Sequence, residues 1–157
     1  MTTHPYSEIY LDNVKNIFGE MFNCAIIHYN EDADAFMQKF IDQGIALHFE
    51  KGNPKYIAGK SGFEIAQEVL STTDDLKNLF LPITQEEYWS GWALAQYQWY
   101  SNIPFADIQN KLPISTIQKM YYPFHEADIT KFCETVDEII TTQKSPLNPP
   151  KGDLPKQ

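Results

Sequence analysis

Apolar residues recur along this chain with the spacing of helices. The longest pattern spans residues 7–29, where apolar side chains fall every three or four positions and polar side chains occupy the opposite face. We expect one long amphipathic helix there. Asp32 or Asp34 is placed to cap a second helix, which Gly44 interrupts. No segment alternates apolar and polar residues for long enough to predict a strand.

Capping signals and prolines divide the rest of the chain into further helices. Ser61 precedes Glu64 by three positions and Thr84 precedes Glu87 by three, so both pairs predict capping boxes at helix starts. Residues 72–82 are expected to connect these two helices. The remaining helices are predicted to begin near Pro104, Ser115 and His125, and to stop at Pro113, Pro123 and Thr142.

The most aromatic segment, residues 88–100, follows the second capping signal. Four of its large side chains are spaced three, four and three residues apart and so share one helix face: Trp89, Trp92, Gln96 and Trp99. Tyr88 and Tyr100 lie beside this face. This pattern predicts a central core helix. A binding platform is the alternative, because large aromatic side chains also anchor protein interfaces.

Together these patterns predict an all-α protein. Residues 1–143 are expected to form a single domain of about six or seven helices around the central aromatic helix, since 157 residues suffice for one core. Residues 144–157 are rich in proline and have no apolar pattern. They predict a disordered tail.

Charge narrows the classes of partner. The chain carries 21 acidic residues against 12 basic ones, a formal net charge of -9, and every basic residue is a lysine. A field of this sign repels a polyanion, and without arginine the chain lacks the usual bidentate reader of guanine and phosphate. We therefore expect a protein partner with a basic surface and no nucleic acid. No membrane partner is expected, because the apolar runs fall short of the roughly 20 residues of a span.

Few residues are arranged for chemistry. Cys24 and Cys133 lie far apart among apolar positions, which predicts two buried reduced thiols. The first residues of the chain lack the features of a secretory signal, so we expect a cytoplasmic protein. One tight ionisable cluster contains His125, Glu126 and Asp128. It favours an acidic helix start over a metal-ligand pair or an enzyme site. No catalytic residue, cofactor or metal is predicted, and the chain is not expected to be an enzyme.

Two functional hypotheses from different classes follow. The first is a non-enzymatic interaction protein, whose candidate contact residues are Tyr88, Trp89, Tyr100, Glu86, Glu87, His125 and Glu126. The alternative is a DNA-binding regulator that uses a helix-turn-helix-like pair at residues 105–121, in which Ile108 and Leu112 pack on Ile117. This pair departs from the DNA-reading motif, because its link is short and its second helix offers only Lys119 as a cation.

Three runs of residues resemble an uncharacterised family of helical bacterial proteins. They are GIA with FEKGNPKYIAGKSG within residues 44–62, YWSGWALAQYQWY at 88–100 and MYYPFHEADI at 120–129. The resemblance implies an association with toxin–antitoxin gene clusters of anaerobic gut and oral bacteria that include an ADP-ribosyltransferase-like member. It implies no catalytic residue and suggests an antitoxin-like or regulatory role. The chain departs from the family at Lys60, where relatives typically have methionine.

Overall fold

The computed structural model describes residues 3–75 and 82–142, and every regular element within these ranges is a helix. In chain order the helices are α1 (Leu11–Asn23), α2 (Ala33–Asp42), α3 (Ile45–Glu50), α4 (Pro54–Ile57), α5 (Gly62–Leu70), α6 (Gln85–Ser101), α7 (Phe105–Lys111), α8 (Ile114–Lys119), α9 (Tyr121–Phe124) and α10 (Ile129–Thr142). The predicted all-α single domain is confirmed. The helices in these ranges outnumber the expected six or seven, because glycines and prolines cut the chain into several pieces of four to seven residues.

Two sequence predictions fall on segments that the structure does not describe. The predicted tail at residues 144–157 lies outside the described residues, as do residues 76–81 of the predicted connector. Among the residues that are described, no helix combines the length and apolar character needed to cross a membrane.

The helix predicted over residues 7–29 is continuous but not uniform. A 3₁₀ turn at Glu8–Tyr10 leads into α1, and a π-helical turn at Cys24–His28 follows it. The inward face of α1 is mainly apolar, and its most deeply buried side chains are Val14, Phe18, Met21 and Phe22, although Lys15 and Asn23 are also buried. The predicted amphipathic face is therefore the face that enters the core.

Helix α6 passes through the middle of the domain and crosses α1. Helices α8, α9 and α10 also pack on it. Two glycines permit the close crossing: Gly91 faces the backbone carbonyl of Phe18, and a Cβ at Gly19 would lie 2.6 Å from Cζ of Tyr88. The predicted central position of the aromatic helix is confirmed.

The tryptophans of α6 do not all enter the core. Trp89 is 8% exposed, whereas Trp92 and Trp99 are half-buried. The fully buried aromatic side chain of the helix is Tyr97, whose hydroxyl donates to Asp137 of α10 at 2.8 Å. Because α6 contacts helices on several sides, small residues and Tyr97 fill the space that a single tryptophan stripe was expected to fill.

One of the two predicted capping boxes forms and the other does not. The Ser61 hydroxyl accepts from the backbone N–H of Glu64, whose carboxylate accepts from the N–H of Ser61. At the start of α6, the Thr84 hydroxyl instead donates to Oδ1 of Asn23 at 2.7 Å, so the box predicted with Glu87 is wrong. A buried amide from α1 outcompetes the local cap.

The last helices begin at positions that differ from the prediction. Helix α8 begins at Ile114, one residue before the start expected at Ser115, and Pro113 is its N-cap residue. Pro123 lies within the first turn of α9 and does not stop a helix, since a first-turn proline loses no intrahelical hydrogen bond. Helix α10 begins at Ile129 and not near His125, because the Asp128 carboxylate accepts from the first-turn backbone.

The two cysteines are free and buried, as predicted. Burial raises the pKa of Cys24 to about 11 and that of Cys133 to about 12. Both side chains therefore remain protonated thiols near neutral pH and behave as small apolar residues.

Candidate functional site

The first half of α6 borders an open cavity of about 300 Å³, which we call the aromatic pocket. Its walls come from three places in the chain: α6 with the residues that precede it, α9 with the residue that ends it, and the start of α10. The lining residues are Ile83, Gln85, Tyr88, Trp89, Trp92, Tyr121, His125, Ala127 and Ile129. The walls are mainly apolar, as in most ligand-binding cavities.

Helical periodicity explains how the α6 wall forms. Gln85, Trp89 and Trp92 are spaced four and three residues apart, so they project from one face of the helix. Tyr121 closes the pocket from α9, where its hydroxyl donates to Oε1 of Gln85 at 2.9 Å and its ring meets the edge of Trp89 at 5.9 Å. Side-chain contacts between α6 and α9 therefore hold this wall of the pocket in place.

His125 lies at the margin of the pocket with its orientation fixed. Its ring stacks on Tyr121 with centroids 4.0 Å apart, and its Nδ1 lies 2.7 Å from the Tyr121 carbonyl oxygen. Because a carbonyl only accepts, Nδ1 carries a proton. In the neutral ring, Nε2 is then an acceptor, and it lies 3.6 Å from a carboxylate oxygen of Glu126, whose side chain is 88% exposed.

The cluster at the start of α10 does not gather further metal ligands. In the two described ranges, no group of three or more histidine, cysteine or acidic side chains is placed to hold a metal ion. Asp128 accepts from Thr130 at 2.9 Å as a helix cap, and this hydrogen bond holds the pKa of its carboxyl below the ordinary value. The helix-start interpretation thus fits Asp128, whereas Glu126 precedes the helix.

A second depression, of about 410 Å³, lies on the other flank of α6, and we call it the acidic groove. Its lining residues are Glu86, Glu87, Ser115, Gln118, Lys119 and Tyr122. Tyr121 lines the pocket and Tyr122 lines the groove, with ring centroids 5.2 Å apart. Glu86 lies close enough to raise the pKa of the Tyr122 phenol through a hydrogen bond. The two cavities are thus adjacent, with one ring of this pair lining each.

A lysine lies beneath one wall of the pocket. Nζ of Lys15, a residue only 6% exposed, lies 3.8 Å from the ring centroid of Trp92. Burial lowers the pKa of this lysine, partly opposed by Asp12 and Cys133. The cation stabilises one face of the indole and places positive charge beside the pocket wall.

The structure places the predicted contact residues in four positions. Tyr88, Trp89 and His125 line the aromatic pocket, and Glu86 with Glu87 lines the acidic groove, while Glu126 lies beside His125 at the margin. Tyr100 lines neither cavity and instead contacts the ring of Tyr97 at 6.1 Å near the far end of α6. It is not brought together with the other candidates.

Sequence reasoning missed several residues of this face. Trp92 was placed on the same helix face as Trp89 but was not among the candidate contact residues. Gln85 could have been found from its spacing of four residues to Trp89. Ile83, which is 68% exposed, and Tyr122, which is 71% exposed, carry no such signal in the sequence.

Comparison with known proteins identifies no relative that bears on this site. The chain matches no family model, no curated protein and no solved structure. Functional inference therefore rests on the geometry of the two cavities and on the charge of the residues around them.

Proposed function

We propose that this chain is a non-enzymatic interaction protein that binds another protein at the face formed by the aromatic pocket and the acidic groove. The observation that carries the proposal is the open, largely apolar pocket with Ile83 exposed at its margin. Exposed apolar surface beside a preformed cavity is typical of a protein-binding site.

Charge supports a basic partner for this face. The net charge of -9 attracts a basic surface and repels a second acidic protein. Glu86, Glu87 and Glu126 lie at or near the pocket and add negative charge where contact would occur. The resemblance described above supports an antitoxin-like or regulatory role, and the two free thiols of Cys24 and Cys133 support a cytoplasmic location.

The DNA-binding alternative has less support. The backbone N–H of Ser115, in the first turn of α8, donates to Oδ1 of Asp34 at 3.1 Å. A reading helix presents its N-terminal residues to base edges, whereas this turn is bonded to a carboxylate of α2. We expect the isolated protein to show no sequence-selective retention of duplex DNA at physiological salt, and submicromolar selective binding would restore this alternative.

Affinity capture with point variants tests the proposed function. Wild type, Ile83→Asp and Ile9→Asp are used as baits, and the captured partner is then purified and its dissociation constant measured directly. Ile9 is 81% exposed and lies outside both cavities, so its variant controls for adding a charge at an exposed isoleucine. We expect Ile83→Asp to weaken binding by about tenfold or more and Ile9→Asp to leave it unchanged. Equal binding by both variants would contradict the proposal.

A further inference from the structure

The size and walls of the aromatic pocket limit what can enter it. A cavity of about 300 Å³ lies at the lower end of the range for small-ligand sites, so it suits a single bulky side chain. Lys15 lies against Trp92 and disfavours a second cation inside the pocket. The occupant that fits these walls is an uncharged aromatic side chain.

His125 adds a preference among aromatic side chains. Its Nδ1 donates to the Tyr121 carbonyl, and its Nε2 lies 3.6 Å from a carboxylate oxygen of the exposed Glu126 side chain, beyond hydrogen-bond distance. When the ring is neutral, Nε2 is an acceptor at the margin of a mainly apolar cavity. An indole N–H is a donor attached to a large apolar ring, so tryptophan matches both features.

The acidic groove indicates which residues of the partner would flank this aromatic side chain. Glu86 and Glu87 lie beyond the adjacent rings of Tyr121 and Tyr122, whose centroids are 5.2 Å apart, so residues beside an anchored side chain can reach them. Lys119 also lines the groove, and the two carboxylates outnumber this single cation. Lysine or arginine matches these carboxylates and the exposed Tyr122 ring. A second copy of this chain does not fit, because a two-fold axis through this face would bring Glu86, Glu87 and Glu126 of both copies together.

We propose that the partner presents a basic segment with one bulky aromatic anchor, the anchor filling the aromatic pocket and the flanking cations lying along the acidic groove. This inference rests on the proposed function, because it specifies the chemistry of the partner at the same face. In this arrangement the apolar pocket provides most of the affinity, whereas the carboxylates orient the partner and increase the association rate.

Short peptides test this inference on the full chain labelled with ¹⁵N. The probe is a capped pentapeptide with one tryptophan between two pairs of lysines. Two matched probes replace the tryptophan with alanine or the lysines with glutamates. The readout is the indole N–H resonances in a titration monitored by NMR. Trp89 and Trp92 report on the pocket, and Trp99, whose Nε1 donates to the Tyr6 carbonyl at 2.9 Å, is the internal reference outside it.

We expect the lysine–tryptophan peptide to shift the Trp89 and Trp92 resonances saturably and to leave Trp99 unchanged. Compared with this peptide, the alanine probe should bind about tenfold more weakly, and the glutamate probe should bind about fivefold more weakly. Glu86→Gln with Glu87→Gln should weaken the lysine–tryptophan peptide by about two- to fivefold for each charge pair lost, with a reduced dependence on salt. Glu134→Gln with Glu138→Gln, two exposed acidic positions of α10, is the matched control and should have no effect.

Three results would overturn the inference: equal affinity for the lysine and glutamate probes, equal affinity for the tryptophan and alanine probes, or no saturable shift at Trp89 and Trp92. The proposed function fails separately. If the peptides do not bind but Ile83→Asp still weakens capture of a partner, the face binds a protein and only the proposed chemistry of that partner is wrong. If Ile83→Asp does not change capture, the proposal that this face binds a partner is wrong.

Discussion

Gly91 of α6 lies against the backbone carbonyl oxygen of Phe18 in α1, with no room for a side chain between them. The Phe18 ring then continues into the core, where it stacks on Phe105 with centroids 5.2 Å apart and meets the edge of Phe49 at 5.0 Å. The contact therefore sets the distance between the two central helices and the position of the largest aromatic cluster around Phe18.

Replacing Gly91 with alanine should destabilise the protein by about 1–3 kcal/mol despite the better helix propensity of alanine. The added Cβ meets backbone, so α1 and α6 must separate. Gly19→Ala is a graded control, because its Cβ meets the ring of half-buried Tyr88, which can turn aside. Urea unfolding of both variants measures the difference, and a Gly91→Ala protein as stable as wild type would contradict this account of the crossing.

The side chain of Asn23 should contribute more to the free energy of unfolding than the hydroxyl of Thr84. Its Oδ1 accepts from the backbone N–H and the hydroxyl of Thr84, and its Nδ2 donates to the Pro82 carbonyl at 3.0 Å. Asn23 is 3% exposed, so Asn23→Ala leaves these groups without a partner and should lower the free energy of unfolding by about 1–3 kcal/mol. Thr84→Val removes only one of the three hydrogen bonds and should cost less. The idea is wrong if thermal or urea unfolding ranks the two variants in the opposite order.

Two tryptophans of α6, Trp89 and Trp99, should differ in their effect on stability. Trp89 is the most buried and contacts the rings of Tyr121 and Phe132, so Trp89→Ala should cost about 3–5 kcal/mol. Trp99 is half-buried, and its replacement should cost only about 1–3 kcal/mol. Chemical unfolding followed by circular dichroism makes the comparison. A larger loss for Trp99→Ala would show that the end of α6, and not its beginning, supports the core.

Asp34 should make stability depend on pH in the acidic range. Burial raises the pKa of its carboxyl, but hydrogen bonds from Ser115 and from Gln109 outweigh this effect and hold the pKa below its ordinary value. A carboxyl with a lowered folded-state pKa stabilises the fold above its unfolded pKa of about 3.9 and loses that contribution as pH falls through the folded value. The melting temperature of wild type should therefore approach that of Asp34→Asn as pH falls below about 4.

Asp42→Asn is the control for this measurement, because Asp42 is an exposed aspartate of the same helix. Its variant should not reproduce the effect of Asp34→Asn. A difference between wild type and Asp34→Asn that stays constant from neutral to strongly acidic pH would remove Asp34 from this role.

Local signals in the sequence were enough to predict helices but not the contacts between them. The capping box of Ser61 and Glu64 depends on residues three positions apart, and it forms as predicted. The cap at Thr84 was mispredicted because Asn23 lies 61 positions away, and no local pattern indicates that its amide reaches the start of α6. Prediction therefore succeeded where a hydrogen bond is local and failed where tertiary contact supplies a better partner.

The candidate site shows the same limit. The spacing of Trp89 and Trp92 predicts a shared face, but whether that face is core or surface depends on the docking of α9. Tyr121 and His125 complete the pocket through a stacked pair at 4.0 Å, and their packing against α6 is a tertiary contact. The sequence therefore indicated part of the α6 wall, His125 and the acidic residues, while the position of Tyr121 opposite α6 required the structure.

The crossing of α1 and α6 also bears on how quickly the chain can fold. Tyr88 and Asn16, whose side chains hydrogen bond across it at 3.1 Å, are 72 positions apart, and His4 and Trp99 near the far end of α6 are 95 apart. Closing such long loops costs entropy before the core contacts form. We therefore expect this helical protein to fold more slowly than helical bundles whose contacts are mainly local.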